Sequence, residues 1–331
     1  MKLIADLVQG EVRERYETIR SFGMRSSIYD VTNRCNLRCK GCFYFSSDKD
    51  EVFDEPDLKR LEAFIESEKA RGVNYAILIG GEPALALDRL DVWYRTIKCS
   101  AATNGIKRIP RDRYPAMRFG ISLWGSGEEE AELRGRNTFE ISLKNYAGDP
   151  NTYYLYTITP RSLDHVDAIT RRIGDAGLRV HYQLFSNDQD VSGYDWDEAS
   201  LTKVRDLMDD MLEKHPDIVI SSRYYHQVLT THTLLGQKWG WDACPSVSAD
   251  NDPRRPLPKR LIGFNAWAAD LRTVHRCCTS QTRDCARCYD GAATMSWVMV
   301  NKREHMDSPK DFANWVDVTH MFARLYEYVP W

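Results

Sequence analysis

The 331-residue chain lacks an apolar run long enough to span a bilayer. Its opening stretch, MKLIADLVQGEVRERYETI, has no continuous hydrophobic core of signal-peptide length. A cytoplasmic protein with no membrane partner is therefore expected. Internal repeats and low-complexity segments are also missing, which argues against a solenoid or a disordered tail. Strong charge of either sign is absent: 45 Lys and Arg against 48 Asp and Glu leave a net −3. That weighs against a nucleic-acid groove binder and predicts no nucleic-acid partner. Histidine is missing where it would matter most, since none precedes His165.

What is present is an uneven set of nine cysteines. In a reducing compartment these read as metal ligands, reactive groups or small core residues before they read as disulfides. Cys99 stands alone in an apolar context and is expected in the core. Cys35, Cys39 and Cys42 crowd the stretch VTNRCNLRCKGCFYF, residues 31–45. Three thiolates leave a tetrahedral zinc site one ligand short. They suit a 4Fe–4S cube better, because its fourth iron would stay open to a small chelating molecule. Spacing alone leaves both metals open.

Between residues 26 and 214 short apolar runs alternate with helical patterns. Strands are expected at 26–32, 74–81, 99–105, 117–125, 152–159 and 177–185. A helix after Pro56 carries Leu58, Leu61, Phe64 and Ile65 on one face. Six such β/α units imply an α/β fold with a parallel sheet, and ligands at the C-terminal ends of its strands. Periodicity does not distinguish an open sheet from a barrel. After about residue 215 the pattern changes. DNDPRRPLPKR, residues 250–260, reads as a loop or linker. Residues 1–24 are taken as an N-terminal extension, 25–214 as the β/α unit and 215–331 as a smaller C-terminal unit.

Gly80-Gly81-Glu82-Pro83 closes the second expected strand. Alone it reads as a turn. Its glycines would also admit a ligand close to the backbone, and its carbonyls and Glu82 would accept hydrogen bonds from an ammonium group. Cys35-x3-Cys39-x2-Cys42 after the first strand, combined with this stretch after the second, resembles the radical S-adenosylmethionine superfamily over roughly residues 25–190. The resemblance implies a partial (β/α)6 TIM-like barrel and an oxygen-sensitive enzyme. Its 4Fe–4S cluster would reductively cleave S-adenosylmethionine to methionine and a 5′-deoxyadenosyl radical, which takes hydrogen from a substrate. It also implies a flavodoxin- or ferredoxin-type electron donor. By position, Thr103 and Asn104 end the third strand, and Ser122 lies on the fourth, where the family often places a cofactor contact. Arg134 would suit the methionine carboxylate, and Ile158-Thr159 lies where adenine is contacted. Each of these also has an ordinary reading as a strand-end, core or surface residue. One departure is Gly41: the family often has an aromatic before the third cysteine, and here Phe43 and Tyr44 follow it instead.

Cys285-x2-Cys288, with Cys277 or Cys278 and the distant Cys244, makes a second ligand set suited to zinc or a cluster. It is similar to the SPASM and twitch auxiliary-cluster regions. Five cysteines fit one further 4Fe–4S cluster of the twitch kind, although the spacing departs from that pattern. The polar groups of Phe185-Ser186-Asn187 and the acidic loop after them are expected near the barrel mouth. Tyr224, Tyr225, His226 and His232 are further candidates for lining it. No catalytic residue is assigned. The substrate is expected to be a small metabolite or natural product, with a peptide as the alternative. Only about 25 residues precede the first strand, too few for an added peptide-binding domain. A reading from another class is a non-catalytic iron–sulfur electron carrier or zinc-organised binding protein.

Overall fold

The structure, a computed structural model, describes residues 4–21, 23–42, 53–187, 190–240, 243, 266–275 and 285–326. Two N-terminal helices, α1 (Ile4–Leu7) and α2 (Gly10–Ile19), precede the sheet. The expected strands then appear in order: β1 Ser26–Asp30, β2 Tyr75–Ile79, β3 Cys99–Thr103, β4 Arg118–Trp124, β5 Thr152–Ile158 and β6 Arg179–Leu184. Between them run α3 (Leu58–Arg71), α4 (Leu87–Thr96), α5 (Gly127–Arg134), α6 (Phe139–Tyr146) and α7 (Val166–Asp175). Then come α8 (Glu198–Lys214), α9 (Arg223–Thr231) and a small hairpin of β7 (Thr233–Leu234) with β8 (Gln237–Lys238). β9 (Ala266–Trp267), β10 (Val274–His275), α10 (Gly291–Val300) and α11 (Pro309–Leu325) complete the described chain.

Local chemistry sets the helix ends. Asp57 caps α3 by accepting the Lys59 N–H at 2.9 Å, so the helix begins just after Pro56. Ser126 and Glu129 form a capping box on α5. β1 to β6 pair in sequence order and all in parallel. Right-handed crossovers then carry the helices to one face. Alternating residues show which face. Tyr29 reaches Glu68 on α3, the Tyr154 hydroxyl meets Ser142 on α6, and the Tyr182 hydroxyl meets Thr170 on α7. The other face wraps α11. Tyr75 on β2 stacks edge-on against Tyr326, and Arg118 on β4 donates to the Arg324 carbonyl. A sheet whose distant strands meet one helix end is curved, and the fold is a partial TIM-like barrel with an open edge.

The chain beyond 214 packs on this same frame. β9 adds to β1 in parallel, pairing Ile28 with Ala266 and Tyr29 with Trp267, and β10 runs antiparallel to β9. The Trp267 indole donates to Glu68, which also holds Tyr29 and Arg71. α11 lies along α2, where Arg15 pairs with Asp317 at 2.9 Å and Tyr16 meets Phe312. α9 is pinned to α8 by a buried relay. Ser221 bonds the His226 ring at 2.5 Å, and His226 bonds Asp209 at 2.6 Å. Most of the described buried apolar residues form one core, to which Cys99 belongs, and Leu133, Phe185 and Tyr194 form a second, smaller cluster against Trp124. No described helix is long and apolar enough to cross a membrane.

Candidate cofactor site

Strand ends create the site. Val31 donates to the Ile79 carbonyl, Gly81 to Thr32 at 2.8 Å and Glu82 to Arg34 at 2.8 Å. These bonds lash the segment leading into Cys35 onto the end of β2. The approach is so close that only glycine fits. A Cβ on Gly80 would lie 2.7 Å from the Thr32 carbonyl oxygen, and one on Gly81 would lie 2.2 Å from that of Arg34. The glycines thus bring the cysteine segment against the strand end. The Gly81 and Glu82 N–H groups are committed to these bonds and the Glu82 carbonyl accepts the Leu85 N–H, so the Gly80 and Gly81 carbonyl oxygens are the candidate acceptors for a ligand there.

Glu82 is buried and turned toward β3. It accepts from the Thr103 hydroxyl at 2.5 Å, the Asn104 N–H at 2.8 Å and the Ala84 N–H at 2.9 Å. Burial raises its pKa, while the bonds from Asn104, Thr103 and Ala84 and the charge of Arg134 act the other way. The Asn104 side chain donates to Asn36, between the first two cysteines, at 2.7 Å. Pro83 is buried at the first position of a 3-10 turn, Pro83–Leu85.

Arg134, at the end of α5, is 3 % exposed. One guanidinium nitrogen donates both to the Ser122 carbonyl at 2.5 Å and to Glu130 at 2.7 Å. Glu130 also accepts the Thr138 and Phe139 N–H groups at the start of α6. The Arg134 Nε has no hydrogen-bond partner despite its burial. A buried cation with an unsatisfied donor is suited to an anion in the space before it.

These groups share one cleft. Cys35, Cys39, Cys42, Gly80, Gly81, Glu82, Thr103, Asn104, Ser122 and Arg134 line it, and the cavity is about 170 Å³. Ile158 is outside that lining: it is fully buried, and its carbonyl accepts the Phe185 N–H. Burial raises the Cys35 thiol, with the Leu37 N–H acting against it at 3.4 Å from the sulfur. Burial raises Cys39 as well, opposed by Arg134. Metal binding there must therefore release protons. Among the described residues no three His, Cys, Asp or Glu side chains group as ligands of a single ion. Three thiols lining one cleft fit a cluster, in which each sulfur would meet a different iron.

Sequence reasoning missed Leu37 and Trp124 in the lining, and the buried carboxylates Glu129 and Glu130. Glu129 accepts the Thr159 hydroxyl at 2.5 Å, joining the ends of β4 and β5. The Ser126-x-x-Glu129 pattern was the available signal for that helix start. Gly41 also gains a reason. A Cβ there would lie 3.0 Å from the Phe185 ring, which itself packs on Trp124 at 5.7 Å. An aromatic just after β6 fills the space beside position 41; Phe43 and Tyr44 lie outside the described residues.

Of the second cysteine set, Cys244, Cys277 and Cys278 lie outside the described residues. Cys285 and Cys288 flank a 3-10 turn, with the Cys288 N–H on the Cys285 carbonyl. The turn is tied to the chain after β6. Arg287 meets Asp190 at 2.6 Å and Asp195 at 2.5 Å, and the Tyr289 N–H donates to Ser186 at 2.8 Å. Asn187 braces the same loop through Val191 and Asp195. Ser186 and Asn187 are thus engaged in holding this turn at the barrel mouth. The four aromatic and imidazole candidates do not line the cleft. Tyr224 bonds His305, Tyr225 bonds the Tyr182 carbonyl, His226 bonds Asp209, and His232 stacks on Tyr289.

No protein-family model and no curated protein matches the chain. Solved structures do. anSMEcpe with bound AdoMet matches over 78% of this chain and 75% of its own, at 19% identity and a TM-score of 0.54. Native anSMEcpe with bound AdoMet and Cp18Cys peptide matches over 87% and 83%, at 18% identity and 0.53. Streptococcus suis SuiB bound to S-adenosylmethionine matches over 61% of this chain at 18% identity and 0.46. The chain spans about half of SuiB, 52%. At these identities the likeness to anSMEcpe is one of fold. It defines a class: an open parallel α/β barrel with its cleft at the strand ends.

Proposed function

We propose that the chain is a radical S-adenosylmethionine enzyme. Its 4Fe–4S cluster would be held by Cys35, Cys39 and Cys42, and its sulfonium cofactor would lie in the cleft before them. The observation that carries this reading is the gathering of three thiols, the Gly80-Gly81 strand end and the Arg134 cation, whose Nε lacks a partner, around one cleft. The chemistry such a cluster supplies when bound is reductive cleavage of S-adenosylmethionine, giving a radical that takes hydrogen from the substrate. The chain's own residues do the positioning. Arg134 Nε would meet the cofactor's carboxylate, carbonyl oxygens at Gly80 and Gly81 would accept from its ammonium, and Trp124, backed by Phe185, would shield the cleft from water. Glu82 acts through Thr103 and Asn104, holding the ends of β2 and β3 in register.

The substrate we favour is a small molecule or natural product. A peptide is the second reading, supported by the peptide bound in the anSMEcpe structure of the same fold. The Cys285–Cys288 turn, with Cys244 and Cys277 or Cys278, would hold an auxiliary 4Fe–4S cluster. Replacing Cys285 and Cys288 by Ala should lower iron from about eight to about four per chain after anaerobic reconstitution. Unchanged iron would remove that cluster. Candidate metabolites and peptides incubated with reductant and S-adenosylmethionine, then weighed by mass spectrometry, separate the two substrate classes. Modification of peptides alone would overturn the small-molecule reading. Colourless, zinc-loaded protein from anaerobic purification would instead favour the non-catalytic reading.

A further inference from the structure

Arg89 belongs to α4, away from the cleft lining, yet it is only 4 % exposed. Its Nε donates to the Val31 carbonyl at 2.5 Å, its Nη2 to the Ala269 carbonyl at 2.9 Å, and its Nη1 to the Glu55 carbonyl. The three acceptors come from three segments. Val31 leads into the cysteines, Glu55 follows them, and Ala269 follows β9. The Glu55 N–H also donates to Ala269 at 2.9 Å, which closes the junction. Asp54 adds a parallel tie, accepting the Thr32 hydroxyl and the Asn33 N–H, both at 2.6 Å.

A buried cation is costly unless its donors are met. Here the guanidinium fork meets carbonyls in three directions, which a lysine ammonium, as a compact point donor, cannot reproduce. We propose that Arg89 is the positioning residue of the cysteine segment. It fixes the start and end of that segment to the C-terminal chain, so the thiols reach their place beside Gly80–Glu82 only when residues 266–269 are docked. The proposal rests on reading the three thiols as cluster ligands. It adds that the barrel and the C-terminal chain assemble this site together.

The test is amide hydrogen exchange on the full chain, as wild type, Arg89→Lys and Arg89→Met, with iron content and the electron paramagnetic resonance signal as second readouts. Losing charged hydrogen bonds should raise exchange roughly tenfold or more in residues 31–34 and 266–270 together, while β4 and β5 keep their protection. The variants should retain less iron, and their reduced signal should respond less to S-adenosylmethionine. Wild-type protection in both segments, or loosening of α4 alone, overturns the proposal. If the variants fail to fold, exchange of the wild type in graded denaturant decides. The two segments should open with one free energy, and separate opening refutes the coupling. A wild type that binds no cluster would sink the cofactor reading, and the exchange result would still decide the role of Arg89.

Discussion

Replacing Gly81 by Ala probes how the site is built. The added methyl carbon would meet the Arg34 carbonyl oxygen at 2.2 Å and its carbon at 2.5 Å. Both are backbone atoms, so no side chain can swing aside. Ordinary contact requires the two backbone segments to part by more than about 1 Å. Overpacking of this kind costs about 1–3 kcal/mol. The parting also strains two hydrogen bonds, Gly81 to Thr32 and Glu82 to Arg34, each worth about 0.5–1.5 kcal/mol. The expected loss is therefore about 2–6 kcal/mol, against a total stability of about 5–15 kcal/mol. Cys35 follows Arg34 directly, so the shift is delivered to the first thiol. Urea unfolding should show the lost stability, and iron after reconstitution should fall. Gly23→Ala is the control, since its nearest atom is 3.9 Å away. If Gly81→Ala matches the control in stability and iron, the close-approach argument is wrong.

Arg134→Met should lose about 3–5 kcal/mol, because it strands the buried Glu130 carboxylate whose partner lies at 2.7 Å. It should also weaken S-adenosylmethionine binding measured by equilibrium dialysis; unchanged binding would remove Arg134 from the cofactor's carboxylate. Burial pulls the His181 pKa down to about 4, and its Nε2 has no partner. The unfolded chain, with an ordinary imidazole near 6.5, then binds more protons than the folded one across this range. Stability should fall as pH drops from about 6.5 toward 4, by up to about 3 kcal/mol. Urea midpoints against pH check this with His181→Gln as reference, and equal acid sensitivity of the two proteins would contradict it.

Much of the barrel was readable because buried parallel strands are plain apolar runs. NYAILIGG became β2 and TYYLYTIT became β5 with only end residues trimmed. The thiols and the GGEP stretch were readable because each carries its own local chemistry. The rest depended on contacts distant in sequence. β9 is two residues long, so no periodicity announces it, and its pairing with β1 appears only in three dimensions. Arg89, Glu129 and Glu130 resemble surface charges in a one-dimensional reading, yet each is buried because its hydrogen bonds are met. The role of Gly80 and Gly81 was legible as closeness but not as closeness to the protein's own backbone. Residues 215–331 differ from the barrel in pattern, and helices α9 to α11 nonetheless add to the same core.

The most direct measurement is 5′-deoxyadenosine released from S-adenosylmethionine by anaerobically reconstituted protein after reduction, wild type beside Cys35→Ala. Release by the wild type, lost in the variant along with the cluster's iron, is the expected result. A wild type loaded with iron and sulfide that cleaves none of the cofactor, whichever reductant or electron carrier is supplied, would contradict the account.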